Sequence, residues 1–365
     1  MIFLVLFIFA LFSSILEGKQ LVTIESIRLK KRKVYVGAKL LFFVMLRLCA
    51  LRSVEVGVDT SHYYIMFSSG TSRFVEFGYW LIRHISSMFG NSFQMFLALY
   101  AIVSLYPLYK MLGRESVNVS FSLLIYLSFS NYFYPEVFNV IRATAAIAFF
   151  CIALSYWVAN RNKFALLLFV MSCLFHITAG VAIVIFICSQ FIKWLPRQIT
   201  YIIIIASFIF GVIFQTGFSA YAESLSYWME DFSGDITGYY SHHLNDFLET
   251  NFNIVGTLSN TLPFTLFAIL LYDERNSTNI FYKLFIIGVV LSNVFISVTL
   301  VYRITMFLSV FLIVVLPNTY RRISNPHKLI LRCLILFMLM WYVYKLLGST
   351  SDTMAGIIPY SFFFE

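Results

Sequence analysis

Arg142 and Arg303 are the residues of this 365-residue sequence best suited to hold a charged ligand at a membrane face. Each stands at the start of an apolar run, in Phe138-Asn139-Val140-Ile141-Arg142 and in Val301-Tyr302-Arg303. An arginine at the centre of a membrane helix costs about 2.5–3.5 kcal/mol on insertion scales, so one near that depth needs a partner or a function. Binding a diphosphate is a fitting function, since a guanidinium grips phosphate oxygens bidentately and a helix N-terminus adds its positive dipole. The plainer reading of either residue alone is a cation snorkelling to the interface. Two of them at the outer starts of helices favour ligand binding.

Asp59 and Glu76 stand in one polar segment, in Gly57-Val58-Asp59-Thr60-Ser61-His62-Tyr63-Tyr64 and in Glu76-Phe77-Gly78-Tyr79. Either carboxylate suits a general base that takes a proton from a sugar hydroxyl. Either also suits an ion pair with Arg52 or Arg73 that merely orders the loop. His176, in Cys173-Leu174-Phe175-His176-Ile177-Thr178, ends a short apolar run and reads as a packing residue or as an intramembrane functional histidine. His242 and His243 with Asp246 are not expected to bind metal, because adjacent histidines splay to different faces of a helix and the ligand count falls short. The sequence has no glycine-rich phosphate loop, metalloprotease helix or nucleophile elbow, and no aspartate pair for a metal-bound nucleotide sugar. An enzyme built on these residues is expected to need no metal, cofactor or nucleotide.

The elements that must position these side chains are membrane helices. Hydrophobic residues make up 60% of the chain and charged ones 12%, about half the charged share of a soluble domain. Phe (41) and Tyr (23) are abundant, as suits lipid contact and anchoring at headgroup level. The fold class expected is all-α, a single membrane domain over 1–365 with about twelve transmembrane helices. Its apolar runs are Met1–Leu16, Val34–Leu51, Phe93–Leu112, Phe121–Pro135, Val140–Val158, Phe164–Phe175, Ile177–Phe191, Tyr201–Phe218, Ile254–Leu271, Ile280–Leu300, Ile304–Leu316 and Leu329–Leu347. Several are shorter than the ~20 residues of a full crossing. Met1–Leu16 has no basic n-region or small-residue cleavage site and reads as a first helix, not a cleaved signal. The five cysteines (Cys49, Cys151, Cys173, Cys188, Cys333) lie inside apolar runs without pairing or metal spacing and read as small core residues.

The net charge of +9 comes from short basic clusters between apolar runs, which points to bilayer orientation and not to nucleic acid. Assigning alternate loops to one side places seventeen Lys and Arg residues there and five (Arg52, Arg73, Arg83, Arg142, Arg303) on the other. The basic side is cytoplasmic, so both termini face out. Two outer segments are long, about 52–92 and 219–253. In the first, Phe77, Trp80, Leu81, Ile85, Met88 and Phe89 recur at helical spacing, as in an amphipathic helix lying in the interface. The second carries six carboxylates, no Lys or Arg, and eight aromatic residues. No internal repeat is visible, which leaves an inverted-repeat transporter unsupported.

The string Leu51-Arg52…Val56-Gly57-Val58-Asp59-Thr60…Tyr63, followed by Glu76-Phe77-Gly78-Tyr79…Leu81, resembles the first signature of the EpsG-type polysaccharide polymerases, a group with many O-antigen polymerases (Wzy). Phe138 to Ala143, Phe175-His176 and Tyr302-Arg303 follow in the same order, so the likeness runs from about Arg52 to Met306. The family usually shows Arg-Gln where this chain has Arg142-Ala143, which leaves any glutamine role unfilled.

The resemblance implies a multi-pass glycosyltransferase of the bacterial inner membrane, active at the periplasmic face in lipopolysaccharide biosynthesis. Such an enzyme moves a glycan from undecaprenyl diphosphate onto the non-reducing end of the next lipid-linked repeat unit. It implies Asp59, Glu76 and His176 as catalytic residues, and Arg52, Tyr63, Tyr79, Arg142 and Arg303 as contacts for diphosphate and sugar. The partners implied are the lipid-linked oligosaccharide, membrane lipids and a co-polymerase that sets chain length. Rival readings are an O-antigen ligase, a transporter or flippase for the same lipid-linked glycans, and an acyltransferase. Candidates confined to one side count against a transporter, and the lone inner histidine, His327, counts against an acyltransferase.

Overall fold

The runs of apolar residues between polar clusters become helices. The computed structural model describes residues 1–25, 36–70, 76–129, 133–192, 195–213, 254–273, 279–295, 299–323, 325–348 and 356–365. The helices are α1 (Ile2–Glu25), α2 (Val36–Ala50), α3 (Thr60–Ser69), α4 (Phe77–Met88), α5 (Phe93–Glu115), α6 (Val119–Ser128), α7 (Ile141–Val158), α8 (Asn162–Phe175), α9 (Thr178–Phe191), α10 (Arg197–Ile213), α11 (Ile254–Leu270), α12 (Ile280–Val294), α13 (Thr299–Ser309), α14 (Leu312–Tyr320) and α15 (Asn325–Leu347). A short 3-10 turn, Tyr134–Val137, precedes α7. The chain is all-helical, with no strand among the described residues.

Among the described residues, five stretches are long and apolar enough to cross a membrane: Ile2–Lys19, Phe93–Glu115, Ile141–Val158, Val301–Tyr320 and Pro326–Leu347. The expected number of about twelve is not reached among them. Six further apolar helices run only 10–17 residues, and at about 1.5 Å per residue each falls short of the ~30 Å hydrocarbon core. The expected outer segment 219–253, with His242, His243 and Asp246, lies outside the described residues, as does Arg73.

Two units are distinguished by their internal packing, 1–185 with 312–365 and 186–311. In the first, α7 sits between α5 and α8. Its small residues Ala143, Ala145, Ala146, Ala148 and Ala153 are all buried and let the neighbouring backbones approach, the usual way helices associate where water supplies no driving force. Ser172 of α8 donates to the Ala146 carbonyl (2.7 Å), and the hydroxyls of Ser104 and Thr144 join α5 to α7 (3.3 Å).

The two ends of this unit differ in chemistry. At one end Glu17 of α1 accepts from the backbone N–H groups of Val119 (3.1 Å) and Ser120 (2.8 Å), satisfying free donors at the start of α6. Asn318 bridges Val117 N–H and the Glu115 carbonyl, and Arg114 lies over Tyr156 and donates to Ser155. The opposite end gathers both chain termini. Phe3 packs edge-on against Phe138 and Tyr360, and Tyr360 donates to the Leu48 carbonyl (2.8 Å). The tail, residues 356–365, pairs with the loop 51–57 through Ser53 N–H to Ser361 O, Phe363 N–H to Leu51 O and Gly57 N–H to Gly356 O. Gly57 has φ +96°, and a Cβ there would stand 2.9 Å from the Phe138 carbonyl oxygen, so this position tolerates no side chain.

The second unit is organised around Asn293. Its side chain accepts from Thr265 of α11 (2.9 Å) and donates to Ser207 of α10 (3.2 Å), so one buried amide ties three helices together. Gly288 lets α12 close on Leu308 of α13.

Candidate active site

Three separated stretches of sequence meet at the end of the first unit that holds the termini. Arg142 lies in the first turn of α7, whose start is fixed by the turn Tyr134–Val137. The buried Tyr134 donates to the Met45 carbonyl (2.7 Å) and packs edge-on against Phe138, which sets the direction in which α7 departs. Glu76 immediately precedes α4 with extended backbone (φ −62°, ψ 151°), the position from which a side chain commonly caps its own helix. Here the carboxylate makes no cap and forms an ion pair and hydrogen bond with Arg142 instead. Of the two readings of Glu76, base or ion-pair partner, the structure shows an ion pair, made with Arg142, 66 positions away, while Arg73 lies outside the described residues.

Tyr63 of α3 is buried, and its hydroxyl lies within hydrogen-bonding reach of Arg142. Tyr79 of α4 is fully buried and its hydroxyl has no hydrogen-bond partner among the described residues. Burial raises its pKa to about 12, so it keeps its proton and remains a donor at neutral pH. Tyr100 of α5 comes to the same place: it is 1% exposed, its hydroxyl likewise lacks a partner, and Arg142, Glu76, Tyr63 and Tyr79 are its electrostatic neighbours. The sequence reading missed Tyr100 because it lies inside an apolar run. The signal available was its spacing from Phe96, which packs on Tyr79 and Tyr100 in turn (centroids 5.4 and 4.9 Å).

Asp59 ends the turn before α3, one turn ahead of Tyr63, and its backbone carbonyl accepts from Tyr63 N–H (3.0 Å). Its carboxylate is half-exposed and makes no cap bond. His176 terminates α8 and starts α9: its carbonyl accepts from Ala179 N–H (3.1 Å), and its Nδ1 accepts from Thr178 N–H (3.2 Å). The Thr178 hydroxyl stands 2.7 Å from the same nitrogen. The histidine thus caps a helix, whatever chemistry Nε2 adds. The end of α8 lies against α4, where a Cβ on Gly78 would stand 2.7 Å from the Phe175 ring.

Arg52 is placed differently from Arg142. It is 2% exposed, and its guanidinium donates to the carbonyls of Val137 (3.3 Å) and Phe138 (3.0 Å) while lying over the Phe138 ring (5.0 Å). Burial draws its pKa down to about 10, still charged at neutral pH. It anchors the turn that launches Arg142 and turns no face to solvent, so the expected substrate contact would require it to leave these carbonyls. Arg83 joins α4 to α3 by donating to the Phe67 carbonyl (3.2 Å). Arg303 belongs to the second unit, half-buried in the second turn of α13 and not at a helix start, because the helix begins at Thr299 and not at Ile304.

On α4, Gly78, Tyr79, Ile82 and Ser86 face the protein, whereas Phe77, Met88 and Phe89 are exposed. The apolar residues seen in the sequence are therefore largely on the outward side, as a helix lying in the interface requires. Among the described residues, no three His, Cys, Asp or Glu side chains converge as a metal site would demand.

The profile of the EpsG family matches residues 38–362, nearly the whole chain. No curated protein and no solved structure matches it. Family and apolar helices together indicate a membrane protein with a polysaccharide-polymerase-like function.

Proposed function

The chain belongs to the EpsG family, and on that premise we propose that it is an O-antigen polymerase of the bacterial inner membrane. The donor is a glycan on undecaprenyl diphosphate and the acceptor is the next lipid-linked repeat unit. The bond from the anomeric carbon to the diphosphate breaks, a bond to an acceptor hydroxyl oxygen forms, the hydroxyl proton passes to a carboxylate, and undecaprenyl diphosphate leaves. The observation that supports this reading is the convergence of Tyr63 and Glu76, from the two halves of the first signature, with Arg142 from the second, on one end of a helical unit. Arg142, at the N-terminal turn of α7, suits the diphosphate by charge and by fork geometry. By its type and its place on the less basic side of the sequence, Arg303 in the second unit is a further phosphate-binding candidate. Asp59, whose carboxylate has no partner among the described residues, is the foremost base, with Glu76 second and His176 positioning the acceptor.

The direct test is polymer formation by the purified chain from synthetic undecaprenyl-diphosphate repeat units. Activity is expected to persist in excess EDTA, since neither sequence spacing nor the described side chains supply a ligand set. Loss of polymer that magnesium or manganese restores would overturn the metal-free mechanism. The genetic readout separates the ligase reading: a polymerase null leaves lipopolysaccharide with one repeat unit, and a ligase null leaves none.

The end that carries Arg142 is assigned to the periplasm, because the basic side of the sequence is the other one. The impermeant maleimide test uses a chain whose native cysteines are replaced. Ser69→Cys and Ser233→Cys should label in intact spheroplasts and Ser324→Cys should not. The reverse pattern refutes the orientation.

A further inference from the structure

We infer that the Glu76 carboxylate occupies the place of a phosphoryl group on Arg142, and that ligand binding exchanges one anion for the other, with the hydroxyls of Tyr79 and Tyr100 completing the phosphoryl subsite. The inference rests on the reading of Arg142 as a phosphate-binding residue and adds to it a competitor and two contacts. Carboxylate and phosphate offer a guanidinium the same pair of acceptor oxygens, so they compete for it directly. Glu76 is held by a single partner. It immediately precedes α4, makes no cap, and its carboxylate has no hydrogen-bond partner but Arg142 among the described residues. The side chains of Arg142 and Glu76 keep 24% and 20% of their surface, so the pair forms the outer layer of the site.

Behind the pair lie the two tyrosines. Buried hydroxyls are nearly always hydrogen-bonded, and an orphan costs stability. The hydroxyls of Tyr79 and Tyr100, both packed on Phe96, and the Nε of Arg142 are buried and without a partner among the described residues, and both tyrosines interact electrostatically with Arg142. Hydroxyl and guanidinium N–H groups left without acceptors form a donor set for an anion's oxygens. When Glu76 swings aside, a phosphoryl group on Arg142 can accept from them.

The test uses inorganic pyrophosphate as the probe and the purified full chain in detergent, with binding read by calorimetry and stability by thermal unfolding. Glu76→Gln removes the competing charge and is expected to bind pyrophosphate about 10-fold more tightly, the gain for a site otherwise open a tenth of the time. Glu76→Asp, with a shorter reach, should fall between, and serves where the glutamine variant melts too low to measure. In the Glu76→Gln chain, Tyr79→Phe and Tyr100→Phe should each weaken binding about 10-fold while the melting temperature holds or rises, because the hydroxyl removed had no partner. A Glu76→Gln chain that binds pyrophosphate no better than wild type overturns the exchange. Tyrosine variants that bind as before overturn the hydroxyl contacts. A chain that behaves as expected here and yet makes no polymer leaves the subsite standing and refutes the polymerase.

Discussion

Arg142→Lys is expected to abolish the lipopolysaccharide ladder in a polymerase-null strain while protein levels on an immunoblot stay normal. The argument is geometric. Arg142 meets Glu76 through one terminal nitrogen, has Tyr63 within hydrogen-bonding reach, and keeps a buried Nε–H without a partner among the described residues, so its fork has donors to spare for a ligand. Lysine keeps the charge but replaces the fork with a single ammonium on a mobile stem. If the guanidinium stabilises the departing diphosphate, its loss should cost about 2.7–4 kcal/mol of barrier, or roughly 10²–10³ in turnover. Lysine still pairs with Glu76, so a purely structural ion pair predicts a nearly full ladder instead. Arg303→Lys is expected to lose activity as well, because lysine gives up the planar fork that suits a phosphoryl group. Full ladders from both variants at normal expression would make these arginines interface anchors.

Helix positions were legible in the sequence because an apolar run in a membrane has only one way to satisfy its backbone. The runs Val140–Val158, Phe164–Phe175 and Ile177–Phe191 match α7, α8 and α9 to within two residues. Their capacity to cross was less legible. Helices such as α6 and α8 end at Asn118, Ser128 or His176, where polar caps and turns intervene before a full crossing is reached. The site residues Glu76, Tyr63 and Arg142 could be named from their types, but their pairing could not: charge complementarity alone offers Glu76 several arginines, and only the approach of α4 to α7 selects one. Tyr100 escaped for a related reason. A tyrosine inside an apolar run reads as packing until its neighbours are known. Arg52 shows the reverse case, since nothing in its type or spacing announces the carbonyls of Val137 and Phe138 that it meets.

Arg52→Met is expected to lower stability severely, and this outcome separates the two roles that sequence and structure give the residue. Methionine keeps the apolar stem and the approximate length, so the contact over Phe138 is largely retained while the cation and its donors go. The carbonyls of Val137 and Phe138 then lose the donations at 3.3 and 3.0 Å, although Phe138 O still accepts from Thr60 (3.2 Å). Leaving a buried carbonyl unsatisfied costs about 1–3 kcal/mol. The loop around Arg52 also holds the tail through Ser53, Leu51 and Gly57, so loosening it releases the Gly356 contact as well. A loss of about 3 kcal/mol is expected on these grounds, enough to lower yield in the membrane and to bring thermal unfolding in detergent down by several degrees. Pyrophosphate affinity of the protein that remains folded should be nearly unchanged, since Arg142 keeps its own contacts with Glu76 and Tyr63. A variant that folds normally but no longer binds pyrophosphate would restore Arg52 to the ligand-binding set. In that event the hydrogen bonds to Val137 and Phe138 would have to break when the ligand arrives, a movement that Thr60 and Gly57, packed on the same Phe138 carbonyl, oppose.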